Sequence, residues 1–446
     1  VTSTPAPRVS LRQFWADLPP AGRWLLSTVA VQTLGRGLTL PFTVIYMHEV
    51  RGISLDLAGV LMAVIAVVAL IVTAPGGALT DRWGARRMLL IATTSQLVGC
   101  VILAFATTPW AFALGFCFIG LNFGISWPAF NALIATIVSG EARQQYFGVN
   151  FALVNLGIGL GGVIGGVFAD VDNPMSFTWI FLGDAASMLV PIGLLLGPLR
   201  HVHGRSERPS DEDAGDEPGT YAAILRQPAV LWLSALTFLA VFVGYGQMEA
   251  GFPAFARQVS EVSTSVIGFA FAVNTVVIVT LQFWVLRRIS GHRRTRVLLV
   301  MLVLWSTAWL ALGLTGLVPA TVAATVGVLV FHSLFALGET MLQPTIPAIT
   351  NDMAPDHLRG RYNAVNSGAF QAGTILAPIV AGFLLRHQLG SVFIGMLVVG
   401  CVAMVGLALA LERRISPAVN GVGPAAGPPE PVGATEAAPS GQVPLA

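Results

Sequence analysis

Twelve apolar runs, each near or above the roughly 20 residues needed to cross a hydrocarbon core, constrain this chain more than anything else in it. They cover about 24–47, 55–78, 88–107, 109–138, 146–169, 177–199, 229–255, 264–286, 297–317, 319–348, 362–385 and 390–411. Backbone polar groups in lipid have no water to bond, so single runs of this length fold as helices. Only 10% of the 446 residues are charged, too few to cover a water-soluble fold of this size. The expected class is an all-α membrane protein with twelve transmembrane helices.

Arginine placement orients the bundle. The connections after odd-numbered runs hold only Arg51, Arg257 and Arg386, whereas those after even-numbered runs and the two ends hold all the others but Arg36, which lies inside the first run. The positive-inside rule then puts both termini in the cytoplasm. The first run contains Arg36 and has no small-residue cleavage site, so it is not expected to be a removed signal.

The expected organisation is a cytoplasmic segment (1–23) with an amphipathic patch at Leu11–Trp15, a six-helix bundle (24–199), a linker (200–228), a second bundle (229–411) and a tail (412–446). Acidic, Pro- and Gly-containing sequence makes the linker a solvated tether, and the Pro/Gly/Ala-rich tail should be disordered. The halves repeat. A shift of 216 residues lays Pro128, Arg143, Tyr146 and Asn150 on Pro344, Arg359, Tyr362 and Asn366. A shift of 207 lays Gly84, Arg86 and Arg87 on Gly291, Arg293 and Arg294. Two pseudo-symmetric six-helix bundles related about an axis along the membrane normal produce such a pattern.

Between the second and third runs stands Gly77-Ala-Leu-Thr-Asp81-Arg82-Trp-Gly84-Ala-Arg86-Arg87. Gly84 supplies a sharp turn, and the arginines hold it at the inner face. Asp81 accepts hydrogen bonds from helix N-terminal amides or pairs with an arginine across the bundle interface. This Gly-x3-Asp-Arg-x-Gly-x-Arg-Arg pattern resembles the signature loop of major facilitator superfamily transporters. The resemblance implies that fold and a gating role for Gly77, Asp81, Arg82, Gly84, Arg86 and Arg87.

The fifth run carries Gly157, Gly161, Gly162, Gly165 and Gly166, spacings that let a second helix approach closely. It resembles the Gly-x3-Gly-Pro-x2-Gly-Gly motif of antiporters of that superfamily, with Gly162 where the motif has proline.

Ionisable groups inside the runs mark candidate sites, because a charge at the bilayer centre costs on the order of 3 kcal/mol and so faces a cavity or a partner. Arg36, Asp184, Glu249 and Glu339 are the four. A desolvated carboxylate that exchanges a proton for a cationic substrate is the simplest chemistry for antiport. The settings of Glu249 and Glu339 resemble acidic sites of the proton-driven multidrug exporters. Some of those relatives have an acid where this chain has Asn150, and commonly an arginine in the fourth helix, where Phe116 or Gly120 stands here. His332 shares a helical face with Glu339. Phe42, Tyr46, Trp127, Phe242, Tyr245, Phe335 and Phe370 are candidate cavity aromatics, suited to flat or cationic substrates.

No nucleotide-binding loop, catalytic triad or metal spacing appears in a credible context, so no enzyme activity, metal or cofactor is expected beyond a proton gradient. Cys100, Cys117 and Cys401 read as small packing residues. A net charge of +2 with no basic patch excludes nucleic-acid partners. The expectation is a monomeric, proton-coupled exporter of small lipophilic or cationic compounds in the bacterial cytoplasmic membrane. A nutrient or organic-anion importer, a lipid flippase and a non-transporting receptor or scaffold stay open.

Overall fold

The structure, a computed structural model, describes residues 15–16, 18–138, 141–202, 221–355 and 359–422. Most of the amphipathic patch, linker residues 203–220 and the tail from 423 lie outside the described residues. The described residues form α1 (Pro20–Thr39), α2 (Leu55–Trp83), α3 (Ala85–Ala104), α4 (Pro109–Ile137), α5 (Glu141–Phe168) and α6 (Pro174–Ser187, extended by Leu189–Leu196). The second half supplies α7 (Pro228–Ala240), α8 (Thr264–Ile289), α9 (Arg294–Thr315), α10 (Val322–Met353), α11 (Arg359–Arg386) and α12 (Gly390–Glu412). Eleven helical stretches among the described residues are long and apolar enough to cross a membrane. α1 is the twelfth crossing, interrupted at Leu40–Phe42 and continued by Thr43–Ile45 and a π-helical turn, Tyr46–Val50.

Local chemistry sets the helix ends. Thr108, Asn173, Ser263 and Thr321 each accept a backbone N–H as N-caps of α4, α6, α8 and α10. Proline occupies the first turn of α1, α4, α6 and α7, where a missing N–H costs nothing. Gly84 (φ 91°) and Gly291 (φ 79°) make the α2–α3 and α8–α9 turns in the region side chains avoid.

α7 breaks as α1 does. It runs through a π-helical turn, Val241–Tyr245, and a short turn, Gly246–Met248, then interrupts at Glu249–Ala250 before Gly251–Gln258. The first helix of each bundle is therefore cut after about twenty residues, with the shorter piece toward the face opposite the arginine-rich one. Neither break was foreseen, although proline marks both: Pro41 lies within the first, and the ring of Pro253 opposes the carbonyl four residues back, at Glu249.

The bundles meet along two seams, α2 with α11 and α5 with α8. A Cβ on Gly382 would stand 2.2 Å from the Leu55 carbonyl oxygen, and one on Gly59 2.1 Å from that of Pro378. The fifth-helix glycines divide between two neighbours. Gly157, Gly161 and Gly165 face α1 of their own bundle, against Ala30, Gly37 and Leu38. Gly162 and Gly166 face α8, against Phe271 and Gly268.

Cross-bundle bonds cluster toward the face opposite the arginine-rich one. Arg257 donates to Glu49 (2.9 and 2.5 Å), Gln258 meets His48 (2.8 Å), Arg386 pairs with Asp56, and Thr264 donates to the Ala169 carbonyl (2.8 Å).

Candidate functional site

Between the bundles lies a cavity of about 380 Å³. Its polar groups come from six helices: Arg36 (α1), Asn155 (α5), Glu249 in the break of α7, Asn274 (α8), His332 and Glu339 (α10), and Gln371 and Thr374 (α11). Tyr245, Phe271, Phe335 and Phe370 supply aromatic wall. Phe335 is held by stacking on Trp305, ring centroids 4.6 Å apart, while the Trp305 indole N–H donates to the Phe335 carbonyl at 3.0 Å.

The two acids differ in their partners. Arg36 donates to Glu249 Oε1 at 3.0 Å across the bundle interface, and its guanidinium lies 4.5 Å from the Phe123 ring centroid. Both partners are about one-third exposed (36% and 35%), so the pair is reachable from the cavity. Glu339 accepts a long contact from the Asn274 amide, 3.5 Å, and a hydrogen bond from the Tyr245 hydroxyl, both neutral donors. No cation among the described residues lies within ion-pair distance of Glu339. His332 is buried against Phe252, Phe271 and Phe331, and neither ring nitrogen has a hydrogen-bond partner.

Other sequence candidates fall elsewhere. Asp184 is buried behind α1, where Oδ2 accepts from the Thr39 hydroxyl (3.0 Å) and the Cys100 thiol (3.3 Å). It lines neither cavity described here, because its face of α6 packs on α1 and α3. Phe42 and Tyr46 are not cavity aromatics, contrary to expectation. Phe42 fills the space left by Gly165, and Tyr46 is enclosed by Phe112, Phe177 and Phe181. The α1 break turns both into the core of their own bundle. Trp127 lines a different cavity, inside the first bundle, and Phe242 stacks on Phe238.

The gating loop is partly visible. Asp81 sits in the last turn of α2, and its side chain lies outside the described ones. Arg82 and Arg87 are exposed, and Arg86 donates to the Leu195 carbonyl (2.7 Å), which braces its own bundle. Gly77 has open space where a Cβ would stand. Sequence reasoning missed Asn274, although an amide inside an otherwise apolar run was the available signal. All three cysteines are free.

Two six-helix bundles enclosing a mid-depth cavity, with ionisable groups from both halves, define a membrane carrier rather than an enzyme. The chain matches the Major Facilitator Superfamily model over residues 25–331 and 262–439, and it belongs to that superfamily. It is 23% identical over 363 residues to the uncharacterized MFS-type transporter YdeE of Escherichia coli (strain K12), covering 81% of this chain and 88% of that one. It is likewise 23% identical over 360 residues to the quinolone resistance protein NorA of Staphylococcus aureus (strain MRSA252), covering 79% and 86%. Among solved structures, a crystal structure of the peptide transporter POT in complex with sulfate aligns with a TM-score of 0.69 at 15% identity, over 92% of this chain and 98% of that one; this likeness concerns the fold. The protein is thus a multi-pass transporter that works in a lipid bilayer on a small-molecule substrate.

Proposed function

We propose that this transporter exports small lipophilic or cationic compounds in exchange for protons, by alternating access. The supporting observation is Glu339, a carboxylate in the central cavity with no cationic partner among the described residues. A carboxylate in that setting satisfies itself by taking a proton or a cationic substrate, and one group holding either in turn couples the two flows. Glu249 differs: Arg36 already neutralises it, so this pair reads as an electrostatic tie between bundles that substrate loosens. Tyr245, Phe335 and Phe370 supply faces for an aromatic or cationic body. Kinship with a quinolone resistance protein supports the efflux direction. In this reading the chain is a monomer of the bacterial cytoplasmic membrane, needs no cofactor beyond the proton gradient, and keeps both termini inside. Asp81 and Arg82 latch the arginine-rich face in the alternate state, and buried Asp184 holds α1 and α6 together rather than meeting substrate.

The test is flux of tetraphenylphosphonium in proteoliposomes under an imposed pH gradient. Proton influx should drive the cation the opposite way, and Glu339→Gln should lower that driven flux at least tenfold. Undiminished driven flux in the variant, or substrate movement in the same direction as protons, contradicts the proposal.

A further inference from the structure

The second cavity, about 320 Å³, lies inside the first bundle among α1, α3, α4, α5 and α6. It shares Arg36 and Phe123 with the central cavity, so the two chambers meet at one wall. The second bundle shows what fills the corresponding space when nothing needs to enter. An offset of 209 residues superposes the buried positions of α3 on those of α9, Leu89 on Leu298, Ala92 on Met301 and Leu103 on Leu312. At that offset Gln96 meets Trp305 and Thr93 meets Leu302. On α4, the 216-residue repeat puts Ser126 on Leu342, which is buried. The second bundle thus has buried indole and isobutyl groups where the first has an amide, two hydroxyls and a void.

One polar atom of the described lining is left unsatisfied. Gln96 is 8% exposed; its amide N–H groups reach the Cys100 sulfur at 3.5 Å and the Asp184 carboxylate, while its Oε1 has no partner. A buried polar atom without a partner costs about 1–3 kcal/mol, so an apolar residue here would be the more stable choice for packing alone. Asn122 donates one amide N–H to the Ala92 carbonyl (2.9 Å) and another to Ser126 (3.0 Å), which holds both at the wall.

We propose that this chamber is a second small-molecule subsite, distinct from the central cavity, and that it takes uncharged amphiphiles bearing hydroxyl or amide groups. Its volume sits at the small end of drug-sized sites. Trp127 and Phe130 give flat apolar wall for a ring, and Thr93, Gln96 and Ser126 give neutral hydrogen-bonding groups. No acid among the described residues lines it to hold a cation, and Arg36 at its inner end already has a counter-ion in Glu249, so the chamber calls for neither sign of charge. Asp184 stands behind Gln96 and is not part of the chamber wall, its Oδ2 taken by Thr39 and Cys100. The subsite goes beyond the proton-coupled reading and does not depend on Glu339.

The experiment uses the full chain in nanodiscs with two radiolabelled probes: chloramphenicol, a neutral nitroaromatic carrying an amide and two hydroxyls, and tetraphenylphosphonium. Gln96→Trp fills the chamber with the second bundle's own residue; Ser126→Leu is the milder change and covers failure of the first to fold. Either folded variant should bind chloramphenicol at least tenfold more weakly, the loss of about one hydrogen bond, with tetraphenylphosphonium affinity held within twofold. Glu339→Gln should leave chloramphenicol binding within twofold, which separates this proposal from the proton-site assignment. Three results overturn it: no saturable chloramphenicol binding by the unaltered chain, undiminished binding in both variants, or strict competition between the probes with both lost in Glu339→Gln.

Discussion

Gly268 offers the most direct test of how this carrier moves. A Cβ built there stands 2.3 Å from the Gly162 carbonyl oxygen and 2.9 Å from Gly166 Cα, both on α5 of the other bundle. Ordinary carbon–oxygen contact needs about an ångström more, so Gly268→Ala forces α8 away from α5. Overpacking of this kind costs about 2 kcal/mol. The cost applies only while the seam is shut, since the methyl has room once the helices part. Differential destabilisation of one state shifts a two-state equilibrium by roughly thirtyfold for that energy. Gly157→Ala is the control. Its Cβ would stand 2.1 Å from Thr33 Oγ1 and 2.5 Å from the Ala30 carbonyl oxygen, an equally tight contact within a single bundle. It should destabilise both states alike. Spin labels at Asp172 and Leu317, exposed connections on opposite bundles at the sealed face, report the separation by pulsed electron resonance. We expect Gly268→Ala to move the distance distribution to longer values and Gly157→Ala to lower the melting temperature without moving it. If the two substitutions act identically on the distances, the α5–α8 seam is not the moving joint and the reasoning fails.

Three more outcomes follow from contacts already described. Removing Arg36 leaves Glu249 without its cation, and since both groups are one-third exposed the coupling should be modest, about 0.5–1 kcal/mol in a thermal-unfolding cycle of Arg36→Gln, Glu249→Gln and the double variant; a cycle that closes at zero removes the tie between bundles. Asn420, past the end of α12, caps α9 by accepting from Thr295 N at 3.0 Å while its carbonyl accepts from Arg294 N at 2.9 Å, so Asn420→Ala should cost about 1–2 kcal/mol, visible as a lower melting temperature and earlier proteolysis of the tail. Gly84→Ala forces a side chain into φ 91° and ψ 144° at a cost of about 1–3 kcal/mol, whereas Gly77→Ala, with open space around it, should be silent; equal melting temperatures for the pair would show the turn to be more pliable than its dihedrals indicate.

The sequence carried much of the architecture because lipid enforces it. Long apolar runs have one fold available to them, and Arg36, Glu249 and Glu339 stood out because a charge among apolar residues has few places to go. Those three do converge on one cavity. What escaped were features that depend on where a side chain ends up in three dimensions. The π turns at Tyr46–Val50 and Val241–Tyr245 use ordinary side chains, and the prolines at the breaks, Pro41 and Pro253, went unread, so Phe42 and Tyr46 were expected in a cavity they do not line. The glycines of α5 were legible as a close-packing motif, but only three-dimensional placement separates those that face α1 from those that face α8. Asp184 met the same rule as Glu339 and found internal donors instead. The chamber of the first bundle was invisible because neutral residues such as Gln96 and Ser126 are cheap enough in a helical run to pass unnoticed.

The two severed helices bear on how the sealed face comes apart. His48 and Glu49 belong to the short distal piece of α1, and Arg257 and Gln258 sit at the end of the distal piece of α7, so these two stubs are clasped to each other across the divide. An unbroken rod would drag its whole clasp along as soon as its other end tilted. If the halves rock as proposed, a jointed one would let the long segment begin to swing while the stub stays gripped, and the lock would yield finger by finger instead of all at once.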